Sequence, residues 1–173
     1  MQMFSILGRL WRTVTHLKFA QIYCRIWFKI YKPRIKLSPI SKSKNFKGQT
    51  TFSARKPVSL VGPFEWILLN EVGKFEEVGW HDKTRSKLWR YNQHYFDDLN
   101  AFNSSDRLNW HQSLIDVWLK DNPPVAGHGW EPYPTSLRII NWIKWLGVGG
   151  VLSRQAEESL LLQARWLVER LEW

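Results

Sequence analysis

Apolar residues recur along this chain at helical spacing in two places, separated by a stretch where the spacing is lost. Between residues 2 and 16, Met3, Leu7, Leu10, Val14 and then Leu17 fall one helical turn apart, with Arg9 and Arg12 elsewhere on the wheel. A second periodic stretch, Ala20 to Tyr31, sets Ile22, Tyr23, Ile26, Trp27 and Ile30 on one side, and Pro33 ends it. Residues 38–60 are rich in Ser, Lys and Thr and poor in hydrophobes, so they read as a linker. Phe64–Leu69 and Lys74–Val78 then read as two short extended segments about Asn70–Gly73, a small hairpin.

Four helices are predicted after Lys87. The first runs from Leu88 to about Phe102. The second, Arg107 to Leu119, carries Leu108, Ile115, Trp118 and Leu119 and closes at Asp121-Asn122-Pro123-Pro124. A loop over 125–134 is held open by Gly127, Gly129, Pro132 and Pro134. Thr135 is placed to cap the third helix, which carries Leu137, Ile140, Asn141, Lys144 and Trp145 along one face. Gly147–Gly150 stops it. Ser153 caps the fourth, with Glu157 and Glu158 in its first turns and a stripe of Ala156, Leu160, Ala164, Leu167 and Leu171.

Charge changes this picture more than composition does. The first 64 residues hold thirteen Lys or Arg and no acid, so the formal net charge of +10 belongs to the N-terminal third. Two basic amphipathic helices over 1–37 can lie on a membrane surface or dock as a pair on their own domain. No apolar run approaches the length of a membrane span, and Gly8, Arg9 and Arg12 interrupt any signal peptide, which leaves the cytoplasm as the default compartment. The single cysteine, Cys24, excludes an intrachain disulfide framework and a zinc site built on paired cysteines. His81, His111 and His128 have no carboxylate or cysteine at metal-ligand spacing, so neither metal nor cofactor is expected. Gly147-Val148-Gly149-Gly150 lacks the context of a phosphate loop, and nucleic acid is not an expected partner.

The candidate chemistry lies in one run, Gly129 to Trp145, which gathers Trp130, Glu131, Tyr133, Arg138, Trp142 and Trp145 around the start of a helix. Aromatic rings stack on the apolar face of a pyranose while Arg, Glu and Asn bond its hydroxyl and carboxylate edges. Of the twelve tryptophans, Trp130, between Gly129 and Pro132, is the one expected to be exposed. Arg138 either forks onto a uronate carboxylate or pairs with Glu131 to brace the loop. On the first helix, Asn92 and Tyr95 share a face, and His94 is either a packing histidine or a sugar contact.

That run, together with Leu88-Trp89-Arg90-Tyr91-Asn92-Gln93-His94-Tyr95-Phe96, resembles the N-terminal helical domain of the heparinase II/III-like polysaccharide lyases. The likeness extends to Leu17–Tyr23 and Arg25–Phe28 and to the C-terminus, leaving out Ser38 to about Leu60. It implies a mainly α chain, with 61–173 as the opening helical hairpins of an incomplete α/α toroid. It also implies a lineage that cuts uronic-acid glycans by β-elimination, periplasmic in some relatives. In such lyases an Asn-His pair follows shortly after the helix on which this chain ends, and the catalytic tyrosine comes later; no Asn-His dipeptide occurs here. The expectation is a fragment without catalytic residues that keeps part of a glycan cleft built from Asn92, His94, Tyr95, Trp130, Glu131, Tyr133 and Arg138. Its partners would be an acidic polysaccharide or oligosaccharide and the remainder of the lyase. A carbohydrate- or partner-binding module and a basic membrane-surface binder are the alternatives.

Overall fold

A computed structural model describes residues 55–170 together with Phe19, Tyr23, Ile26 and Trp27. Those four are helical; the rest of the basic helical pair, and the linker as far as residue 54, lie outside the described residues. The chain divides into two units, 1–36 with 169–173, and 37–168. The second is mainly helical with a small antiparallel sheet.

Three short strands make the sheet: β1 (Leu60–Gly62), β2 (Glu65–Leu68) and β3 (Glu71–Lys74), in the order β1-β2-β3. Trp66 faces Leu60 on one side and Gly73 on the other. The β2–β3 turn is the dipeptide Leu69–Asn70, with φ of 53° and 63°, the left-handed pair that matches strand twist in a two-residue hairpin. This corrects the expected hairpin. Its second strand comes earlier, and Phe75–Val78 is instead one helical turn, α1. The reason is Gly73: a Cβ there would come within 2.5 Å of the Trp89 ring, so the strand has to pass over the helix at a residue without a side chain.

The predicted linker also ends too late. Asp98 Oδ1 accepts the backbone N–H groups of Ser59 and Leu60 at 2.8 and 3.0 Å. The Lys56 N–H donates to Asn100 O at 3.0 Å, and Lys56 O accepts from Phe102 N–H. Residues 56–60 therefore belong to the fold.

Helix α2 (Lys87–Tyr95) starts where Ser86 Oγ accepts the Trp89 N–H at 3.1 Å. It stops at Phe96, not near Phe102, because Phe96 turns left-handed (φ 58°) and drives its ring into the core. Two 3-10 turns, Asp97–Asn100 and Ser104–Arg107, carry the chain to α3 (Leu108–Asp121). A third, His128–Trp130, precedes α4 (Pro132–Gly147), which begins at Pro132 rather than at Thr135; a proline fits the first helical position because no N–H is needed there. Helix α5 (Arg154–Val168) starts as expected, Ser153 Oγ accepting from the Ala156 N–H.

Helix α4 packs against α2 and α5, and α5 also meets α3. Trp66, Trp80, Trp89, Trp118, Trp130, Trp142, Trp145 and Trp166 are all buried. The inner face of α4 is Thr135, Arg138, Ile139, Asn141, Trp142 and Trp145, a rotation away from the predicted line of Leu137, Ile140 and Lys144, of which Ile140 and Lys144 are exposed. Helix α5 buries Ala156, Gln163 and Trp166, so its apolar stripe has a glutamine at its centre. Leu108 is exposed. No helix among the described residues is long and apolar enough to cross a membrane.

Candidate functional site

The early end of α2 leaves backbone carbonyls without helical partners, and α4 supplies their donors. Arg138 Nη1 donates to His94 O at 3.3 Å, and Asn141 Nδ2 to Tyr95 O at 2.8 Å and Asp97 Oδ1 at 2.7 Å. Arg138 also reaches the loop before α4, donating to Gly129 O at 2.8 Å, while its Nε donates to Gln163 Oε1 at 2.8 Å. Its guanidinium lies 4.0 Å from the centre of the Trp118 ring. The residue is fully buried, and that burial pulls its pKa well below the ordinary value. Arg138 therefore neither forks onto a ligand nor pairs with Glu131. It braces the loop from beneath, through the Gly129 carbonyl.

Trp130 and His94 are likewise inside. Trp130 is 2% exposed, its indole N–H donates to Asn122 O at 3.1 Å, and its own carbonyl accepts from Trp166 Nε1 at 2.9 Å. The exposed ring expected at this position is a core residue, because the 3-10 turn at His128–Trp130 points it back at Trp118. Gly129 permits that: a Cβ there would lie 2.8 Å from His94 Nδ1. His94 Nδ1 accepts the Trp118 indole N–H at 3.0 Å, which fixes the neutral ring with its proton on Nε2. Burial, then the positive charge of Arg138, holds its pKa well below the usual histidine value. His94 is a packing histidine, stacked on Trp80 at 5.4 Å.

What reaches the surface is centred on Glu131. Its Oε1 accepts from His128 Nδ1 at 2.7 Å; its Oε2 accepts from Lys87 Nζ at 2.9 Å and from the Tyr91 hydroxyl. Burial would raise the Glu131 pKa, but His128, Tyr91 and Lys87 together outweigh it and bring it down to about 2. The same partners act in reverse on the others. Burial and the Glu131 carboxylate push the Tyr91 phenol up, and hydrogen bonding to Tyr91 and Glu131 raises Lys87. Lys87 also lies over the Tyr91 ring, 5.1 Å from its centre. His128 had no carboxylate at metal-ligand spacing in the sequence, yet the turn before α4 gives it Glu131.

Tyr133 stands beside this network, 58% exposed. Its ring is 6.3 Å from Tyr91 and 5.8 Å, edge-on, from Tyr95. Tyr95 is buried and Asn92 half-buried, the latter donating to Leu88 O within its own helix at 2.8 Å. Of the seven candidate residues, Glu131, Tyr133 and Tyr95 come together, Asn92 lies near the surface of the same helix, and Trp130, His94 and Arg138 are buried beneath. Lys87, Tyr91 and His128 join the site unannounced. Lys87 and Tyr91 stand four apart on one helix face, and His128 stands three before Glu131, but pairing across some forty residues leaves no local trace. Set against family models, curated proteins and solved structures, the chain matches none of them.

Proposed function

We propose that residues 61–173 belong to the helical part of a heparinase II/III-like protein, with their helices as the opening hairpins of an α/α toroid. The Tyr91–Glu131–Tyr133 surface would hold an acidic glycan without cleaving it. The carrying observation is the exposed ring of Tyr133, set against Tyr91 with Lys87 above it. A pyranose stacks on such a ring, and a lysine held by one carboxylate keeps further N–H donors for a uronate. The exposed Ile140, Ile143 and Leu161 give α4 and α5 an apolar outer surface, which suits helices that pack in a ring.

Titration calorimetry with a uronate oligosaccharide and an uncharged one of equal length tests this. The acidic ligand binds more tightly, Tyr133→Ala weakens it about tenfold through lost stacking, and Lys87→Ala removes the preference for charge. Absence of heat with either glycan, or a Tyr133→Ala variant that binds as the parent does, sinks the proposal.

A further inference from the structure

Next to Tyr91 on helix α2 stands a cation that the fold leaves unsatisfied. Arg90 is half-buried, and its buried Nε has no hydrogen-bond partner. Arg55, Arg85, Arg107, Arg138 and Arg154, by contrast, all donate to oxygens. Among the described residues no carboxylate forms an ion pair with Arg90 either. A guanidinium carries five donors and no acceptor, so a buried nitrogen of this kind calls for an oxygen from outside.

Two histidines flank it. Gln93 Nε2 donates to Gly79 O at 2.9 Å, which lays the turn over 79–81 along α2, and the His81 ring comes 6.3 Å from that of His94. Arg90 lies three residues before Gln93 and four before His94, one turn earlier on the same side of the helix. His81 also meets the loop before α4, where a Cβ at Gly127 would come 2.9 Å from its Cε1. His128 follows in that loop, its ring 6.5 Å from Tyr91 and edge-on to it. Burial lowers the His81 pKa first, and His128 and Arg90 lower it further, while Asp121 and the Trp80 backbone oppose them. Positive charge prevails here. Asp82, next to His81 in the chain, is held by the Thr84 N–H and hydroxyl at 2.8 and 2.6 Å.

We propose that Arg90, flanked by His81 and His128, receives a second oxyanion of the bound glycan, a carboxylate or a sulfate ester, on a sugar neighbouring the one stacked at Tyr133. The inference rests on the glycan reading above and narrows it to chains with negative groups on adjacent sugars. Ring by ring, Tyr133 leads to Tyr91 at 6.3 Å and Tyr91 to His128 at 6.5 Å, so the cationic group begins beyond the stacking surface. The planar fork of Arg90 offers paired donors to either oxyanion. Lys87 tells charged from neutral sugars at Tyr91, whereas Arg90 tells apart ligands that already carry that charge.

Calorimetry of the full chain with three oligosaccharides of equal length tests it. Unsulfated chondroitin carries a carboxylate on alternate sugars, chondroitin sulfate adds a sulfate on the sugars between, and oligogalacturonate carries a carboxylate on every sugar. At least one of the two fully charged ligands binds about tenfold more tightly than unsulfated chondroitin, and which of them gains tells sulfate from carboxylate. Arg90→Gln abolishes the gain. It leaves the affinity for unsulfated chondroitin as in the parent, which also shows that the variant is folded. Lys144→Gln, which removes the same charge from the exposed side of α4, keeps the gain. Equal affinities for all three ligands, or a gain that survives Arg90→Gln, overturn this inference and leave the glycan reading standing. Absence of heat with all three overturns both.

Discussion

A guanidinium buried without a carboxylate must be satisfied by neutral oxygens, and Arg138 gathers four: Gln163 Oε1, Gly129 O, His94 O and Thr135 Oγ1. The planar fork is what lets one side chain serve α2, α5 and the loop before α4 together. Lysine keeps the charge but not the fork. Arg138→Lys strands two buried acceptors and costs about 2–6 kcal/mol, at about 1–3 kcal/mol per unsatisfied group. Urea unfolding followed by circular dichroism would show it as a lower midpoint with an unchanged slope. A variant as stable as the parent would mean that water already serves those carbonyls.

Asp98 does for the loops what Arg138 does for the helices. Its Oδ1 takes the Ser59 and Leu60 N–H groups; its Oδ2 takes Arg107 Nε and His111 Nε2, each at 2.8 Å. Burial would raise its pKa, but His111, Arg107 and the two backbone donors prevail and lower it from 3.8 to about 2. A carboxyl depressed by folding stabilises above its unfolded pKa, and that stabilisation is lost as pH falls through the folded one. Stability should thus drop by about 2 kcal/mol between roughly pH 4 and pH 2. Asp98→Asn should flatten that acid limb in thermal melts; an unchanged limb would place the titration elsewhere.

These same elements show what can be read locally and what cannot. The starts of α2 and α5 and the stop of α4 at Gly147 follow from residues adjacent to them, and all were legible. The early stop of α2 was not, since the donors that satisfy its free carbonyls, Arg138 and Asn141, lie some forty residues on. The buried face of α4 lies a rotation from the line of Leu137, Ile140, Asn141, Lys144 and Trp145 for the same reason: a helix that caps another must turn polar residues inward. At the site, the sequence names Glu131, Tyr133 and Tyr95 together, and the fold brings them together. The burial of Trp130 was not, because a glycine-rich loop outside any helix gives no sign that a 3-10 turn will direct its ring inward.

Among the described residues of the 37–168 unit, tryptophan supplies much of the interior, joined by Tyr95, while Tyr91 and Tyr133 reach the surface. Trp89, Trp118 and Trp142 are wholly buried, while Tyr133 and Tyr91 border a network of Lys87, Glu131 and His128. Hydroxyl-radical footprinting of the full chain, with and without a uronate oligosaccharide, tests the division most directly. The account expects Tyr133 to be oxidised in the free protein and protected in the complex, with Trp130 unmodified in both. Oxidation of Trp130 in the folded chain, or a Tyr133 that the glycan leaves unprotected, would contradict it.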